Sequence, residues 1–71
     1  MAYEHLIVEI NDRFVGTITL NRPEHLNTFN TPLSQEVYEA LTALDADPNV
    51  RVVRIKGAGK AFCAGIDVNE L

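Results

Sequence analysis

Two short apolar runs open the chain, separated by a polar triplet. Residues 3–10 are rich in Ile and Val and stop at Asn11-Asp12, the pattern of a strand ending in a turn. Residues 14–20 carry Val15, Thr17, Ile18 and Thr19, types that suit a pleated, half-buried surface. Asn11-Asp12-Arg13 is a connector of hairpin length, so the two runs are predicted to pair. Asn21-Arg22-Pro23-Glu24 breaks the pattern, because proline offers no ladder N–H and fixes φ. A loop is expected from there to about Asn30. A helix then follows, with Thr31 as N-cap and Pro32 at the first helical position, where a missing N–H costs nothing. Leu33, Val37, Leu41 and Leu44 recur at steps of four, four and three, which draws one apolar stripe. Glu36 and Glu39 lie off that stripe, and Glu36 suits the N-terminal half of the helix electrostatically. Asp45 to Asn49, with Pro48, ends it. Val50, Val52, Val53 and Ile55 mark a third strand over residues 50–56. Gly57-Ala58-Gly59-Lys60 is a turn, residues 61–65 are small and apolar around Phe62, and Asp67 onward opens a second helix.

The expected order is therefore β-β-α-β, a glycine loop and a helix start, an α/β arrangement without repeats. With 71 residues the core is small, and small cores usually need a disulfide or metal staple. One cysteine excludes an intrachain disulfide, and one thiolate with two histidines does not complete a zinc site. A hydrophobic content of 46% is nevertheless that of a packed protein. An autonomous small domain and a piece of something larger both fit. The net charge of −4 argues against a general nucleic-acid or anionic-membrane surface. Arg51, Arg54, Lys56 and Lys60 form an acid-free stretch, which fits a small polyanion such as a nucleotide phosphate, or a solvated strand edge. The start shows no secretory signal and no stretch approaches a membrane span. A lone reduced cysteine fits the cytoplasm, the default expectation, and also a mitochondrial matrix protein.

The glycine loop invites two motifs and satisfies neither. A phosphate-binding P-loop places glycine where Arg54 stands and a hydroxyl where Ala61 stands. A dinucleotide fingerprint wants its third glycine at Phe62. A longer pattern does match. Asn21-Arg22-Pro23-Glu24-His25-Leu26-Asn27 follows the hairpin. About thirty residues later comes Gly57-Ala58-Gly59-Lys60-Ala61-Phe62-Cys63-Ala64-Gly65-Ile66-Asp67. Together, with the helix and strand between them, these resemble the crotonase (enoyl-CoA hydratase/isomerase) superfamily over essentially the whole chain. The resemblance implies the β-β-α-β start of that family's spiral of ββα units, with residues 1–71 as the N-terminal portion of one domain.

The second motif has a physical sense of its own. Activating an acyl thioester requires stabilising the negative charge that develops on its carbonyl oxygen. Prepositioned backbone N–H groups do this, and losing one such donor costs about 2.7–4 kcal/mol. Small residues let backbone approach a ligand closely, and a following helix adds its positive end. By resemblance, the Ile66 N–H is one oxyanion-hole donor. Ala64, Gly65, Asp67 and Val68 line the acyl-CoA beside it, and His25 and Leu26 lie by the adenosine end of coenzyme A. His25 stands where lysine is commoner, which implies a weaker and pH-dependent phosphate contact. Thr28-Phe29 replaces a frequent Ala-Leu.

Other candidates carry blander readings. His25 reads first as an exposed loop histidine and His5 receives no role. Cys63 has no flanking charge to lower its pKa and reads as a packed thiol. Asp67 reads as an N-cap or loop-ordering carboxylate ahead of a general acid, and Glu70 as helix surface. The resemblance places the second oxyanion donor and the acid/base carboxylates after Leu71, so these 71 residues alone are expected not to turn over a substrate. The implied parent is an acyl-CoA enzyme, foremost a 2-enoyl-CoA hydratase, with isomerisation or thioester hydrolysis as alternatives. It would act as a homotrimer or hexamer, with no metal or redox cofactor and with coenzyme A only as part of the substrate. A purely structural or binding role stays open, and an isolated chain of this kind is expected to self-associate through uncovered apolar surface.

Overall fold

The structure, a computed structural model, describes residues 3–70. Strands β1 (Leu6–Ile10) and β2 (Val15–Leu20) form the expected antiparallel hairpin, with Leu6 opposite Leu20 and Ile10 opposite Gly16. The connector is longer than expected because Phe14 leaves the strand. It takes φ 65, a conformation uncommon outside glycine. The Asn11 carboxamide oxygen stabilises the turn by accepting from the N–H groups of Arg13 and Val15, as short polar side chains do in turns. The Phe14 carbonyl accepts from Arg51 and Val52, and the Arg51 guanidinium lies 4.7 Å from the Phe14 ring centre.

Helix α1 (Thr31–Asp45) crosses from β2 to β3 (Val52–Gly57), which runs parallel to β2 and completes a sheet in the order β1-β2-β3. The N-cap is Asn30, one residue before the expected Thr31. Its side-chain oxygen accepts from the Leu33 N–H at 2.9 Å, and asparagine is the stronger cap of the two. Thr31 instead gives its N–H and hydroxyl to the Glu70 carboxylate. Glu36, expected to act through the helix dipole, accepts from the backbone N–H of His5 at 2.9 Å and so ties the helix to the segment before β1.

The core forms where α1 lies on β1 and β2. Leu6, Ile18, Leu20, Leu33, Ala40 and Leu44 are buried, with Val37 and Val8 packed against them. The helix stripe is therefore Leu33, Val37, Ala40, Leu44, and not the expected Leu41, which is 37% exposed. Steps of four, three and four stay on one side of a helix, whereas Leu41 sits one position further round. Val53 and Ile55 pair with Gly16 and Ile18 and so share the helix-side face, yet both remain exposed because α1 covers the hairpin and not β3. In place of the helix start expected from Asp67, the described residues hold a 3-10 turn over Val68–Glu70. Among the described residues no helix is long and apolar enough to cross a membrane.

The corrected stripe makes a direct prediction. Leu33→Ala empties a fully buried position and is expected to cost about 2–5 kcal/mol. Leu41→Ala is expected to cost no more than about 1 kcal/mol. Denaturant unfolding of the two variants checks this, and equal losses would contradict the packing described here.

Candidate functional site

Two loops separated in sequence meet beyond the C-terminal ends of β2 and β3. The first, after Leu20, holds a 3-10 turn over Pro23–His25 and then two consecutive left-handed residues, Leu26 at φ 53 and Asn27 at φ 55. Asparagine tolerates this region better than most residues. That conformation carries the Asn27 side chain inward, where it is fully buried. Its amide nitrogen donates to the carbonyls of Ala58 at 2.9 Å and Ala61 at 2.8 Å, and its oxygen accepts from the Arg22 N–H at 2.8 Å. One side chain thus closes the first loop on itself and holds the glycine turn against it. Gly57 permits the fit, since a Cβ there would lie 2.5 Å from the Phe62 carbonyl oxygen.

Arg22 makes the second link. Its side chain is buried, with one guanidinium nitrogen donating to the Thr28 carbonyl at 2.6 Å and the other to the Asp67 carboxylate at 3.3 Å. The second Asp67 oxygen accepts from the Asn69 N–H at 3.0 Å. The Asp67 carboxyl is held below its ordinary value: the Asn69 N–H has the largest effect, burial opposes it next, and Arg22 and then His25 add to the lowering. Both oxygens are engaged within the protein, a loop-ordering arrangement.

The backbone completes the junction. Ala64 N–H donates to the Leu26 carbonyl, Phe29 N–H to Gly65, and Asp67 N–H to Phe29, forming a parallel bridge between Phe29 and Ile66. In such a bridge Phe29 bonds the residues on either side of its partner, so the Ile66 N–H points away from Phe29. It donates to nothing among the described residues. Gly65 supports this path at φ 111, a region open to few residues besides glycine. Its N–H faces the Cys63 sulfur at 3.4 Å, while the Cys63 thiol is partly buried against the core.

The residues singled out in the sequence therefore share one surface. His25 and Leu26 are exposed on the first loop, and Ala64, Gly65, Ile66 and Val68 are exposed on the second, with Asp67 half-buried between. Leu26, Ile66 and Val68 add apolar exposure beside the free Ile66 N–H. Among the described residues, a 3-10 turn over Val68–Glu70 follows this loop. Sequence reasoning assigned no role to Arg22 or Asn27, although both lie in the quoted motif. Glu70, expected on a helix surface, accepts from the Thr31 N–H and hydroxyl. The basic stretch does not act as one strip: Arg54 and Lys56 point from β3 away from α1, beside Thr17 and Thr19, while Arg51 stacks on Phe14.

Two outcomes follow. Asn27→Ala leaves the Ala58 and Ala61 carbonyls without their donor and is expected to cost about 2–4 kcal/mol in denaturant unfolding. A loss under about 1 kcal/mol would deny Asn27 its linking role. A carboxyl with a depressed folded-state pKa stabilises above its unfolded pKa and loses that contribution as pH falls through the folded value. The stability gap between wild type and Asp67→Asn is thus expected to be constant above about pH 5 and to shrink below about pH 4. A gap that widens on acidification would contradict the Asp67 environment.

Comparison with known proteins places this geometry. Residues 15–71 match the family described as "Enoyl-CoA hydratase/isomerase". A Mycobacterium bovis protein named "Probable enoyl-CoA hydratase" is 48% identical over 71 residues, which is 100% of this chain and 27% of that protein. The 1,2-epoxyphenylacetyl-CoA isomerase of Escherichia coli is 42% identical over 59 residues, 83% of this chain and 22% of that protein. The crystal structure of an enoyl-CoA hydratase from Mycobacterium marinum superposes with a TM-score of 0.88 at 43% identity, covering 94% of this chain and 31% of that one. The chain thus spans about a quarter of the length of the relatives it matches. With the β-β-α-β fold, both motifs and these likenesses in agreement, the chain belongs to the enoyl-CoA hydratase/isomerase family.

Proposed function

We propose that this chain supplies the first portion of the active site of an acyl-CoA enzyme that hydrates a 2-enoyl-CoA. Water adds its oxygen at C3 of the conjugated thioester, and the displaced electron pair moves through C2 to the carbonyl oxygen. The resulting enolate then takes a proton at C2. The Ile66 N–H is one donor to the carbonyl oxygen as negative charge gathers there. Ala64, Gly65, Asp67 and Val68 line the acyl-CoA around that donor, and His25 and Leu26 meet the adenosine end of coenzyme A. The second oxyanion donor and the carboxylates that handle water and proton come from outside residues 1–71, so these residues alone do not turn over substrate. The complete protein works as a homotrimer or hexamer in the cytoplasm, without a metal or redox cofactor.

The observation that supports this reading is the Ile66 N–H. Its neighbours Gly65 and Asp67 are both tied to Phe29, while it has no acceptor among the described residues and lies beside exposed apolar side chains. Donors prepositioned in this way act most on charge that appears only in the transition state. Isomerisation is the second reading, favoured by the 42% identity to an isomerase acting on an acyl-CoA. It uses the same thioester polarisation but adds no water: a proton leaves one carbon of the acyl chain and one is returned at another, so the double bond moves.

Full-length gene product mixed with a 2-enoyl-CoA is expected to bleach the conjugated thioester absorbance and release a 3-hydroxyacyl-CoA. Ile66→Pro removes the N–H and leaves both hydrogen bonds of the Phe29 bridge available. It is expected to lower kcat by roughly 10²–10³-fold in a folded protein. A shifted double bond in place of a hydroxyl would favour isomerisation. Unchanged kcat in Ile66→Pro would remove Ile66 from the oxyanion hole.

A further inference from the structure

Of the six lysines and arginines in the chain, only Arg22 is buried, at 5% exposure. Burying a guanidinium is unfavourable unless it is paired and hydrogen-bonded. Its partners lie on either side of the junction between the two loops. One nitrogen holds the Thr28 carbonyl at 2.6 Å, next to Phe29, and the other holds the Asp67 carboxylate at 3.3 Å, next to Ile66. Phe29 and Ile66 are themselves the bridged pair. The guanidinium therefore clamps the same junction that sets the direction of the Ile66 N–H. A planar fork is suited to two acceptors at once, which a lysine ammonium on a flexible stem is not.

We infer that Arg22 is a positioning residue for thioester activation: it couples the loop bearing His25 and Leu26 to the segment bearing the Ile66 N–H. This rests on the proposed role of Ile66. The guanidinium touches no substrate; it fixes the donor's direction through Asp67 and Thr28. Contact of coenzyme A with the first loop is thereby linked to the oxyanion donor on the second.

Arg22→Gln, Arg22→Lys and Asp67→Asn in the full-length gene product test this by two readouts. In Arg22→Gln, amide hydrogen exchange of residues 63–70 is expected to quicken by about tenfold or more, with residues 33–44 changed by less than about twofold. In hydration of a 2-enoyl-CoA, kcat is expected to fall roughly 10–100-fold with KM changed by less than about threefold, because a misaimed donor acts on the transition state. Arg22→Lys recovers only part of this loss. Asp67→Asn, which leaves the Thr28 contact in place, loses less than Arg22→Gln.

Unchanged exchange over residues 63–70, or a folded Arg22→Gln protein with kcat within about twofold of wild type, overturns the inference. Should Arg22→Gln fail to fold, the same comparisons in Arg22→Lys and Asp67→Asn decide. A wild-type protein that hydrates no enoyl-CoA sinks the proposed reaction, and the exchange comparison alone then upholds or overturns the coupling of the loops.

Discussion

The carboxamide of Asn27 sits where two loops from distant parts of the chain meet, cut off from solvent. A buried amide is expensive unless its donors and acceptor are satisfied. Here they are satisfied by the Ala58 and Ala61 carbonyls and the Arg22 N–H, so the three groups must stay together. Several other features are consequences. The glycine turn after β3 is drawn against the loop after β2, which requires the missing side chain of Gly57. The first loop, once closed, delivers Phe29 to pair with Ile66 and Asn30 to cap α1. The helix start is reinforced from the second loop by Glu70. In this way the sheet, the helix and the candidate site share one polar junction, while the apolar core under α1 lies to one side of it.

In the proposed function, that junction joins rigidity to catalysis. Gly65 and Asp67 spend their hydrogen bonds on Phe29, which leaves Ile66 between them with its N–H outward. A donor fixed by its neighbours pays no reorganisation when charge develops near it. The Arg22–Asp67 pair works in the same direction. It is nearly dry, with side chains 6% and 13% exposed, and a pair in such surroundings is screened less than one in water.

Most of the fold was legible because its signals are local. Alternation and β-branched residues marked the three strands, and the apolar period marked α1. The errors have local causes as well. Leu41 outranks Ala40 in hydrophobicity, but the helix turns Ala40 to the core and a small residue suffices there. Thr31 resembles a cap, but Asn30 precedes it and binds Leu33. Phe14 looks like strand and instead bends at φ 65 so that its carbonyl meets Arg51 and Val52. The candidate site came only from the resemblance carried by its long double motif, which singled out His25, Leu26 and Ala64 to Val68. The roles of Arg22 and Asn27 were not, since Asn27 meets backbone carbonyls 31 and 34 residues away and Arg22 a carboxylate 45 residues away. No side-chain pattern records a partner that is a backbone oxygen.

The central claim is that this junction exists to present the Ile66 N–H to a thioester. A crystal structure of the full-length gene product bound to an acyl-CoA tests it most directly. The Ile66 nitrogen is expected about 2.7–3.1 Å from the thioester oxygen, with the Asn27 and Arg22 contacts intact beneath it. A thioester carbonyl held elsewhere, with the Ile66 N–H donated to another protein group, would contradict it.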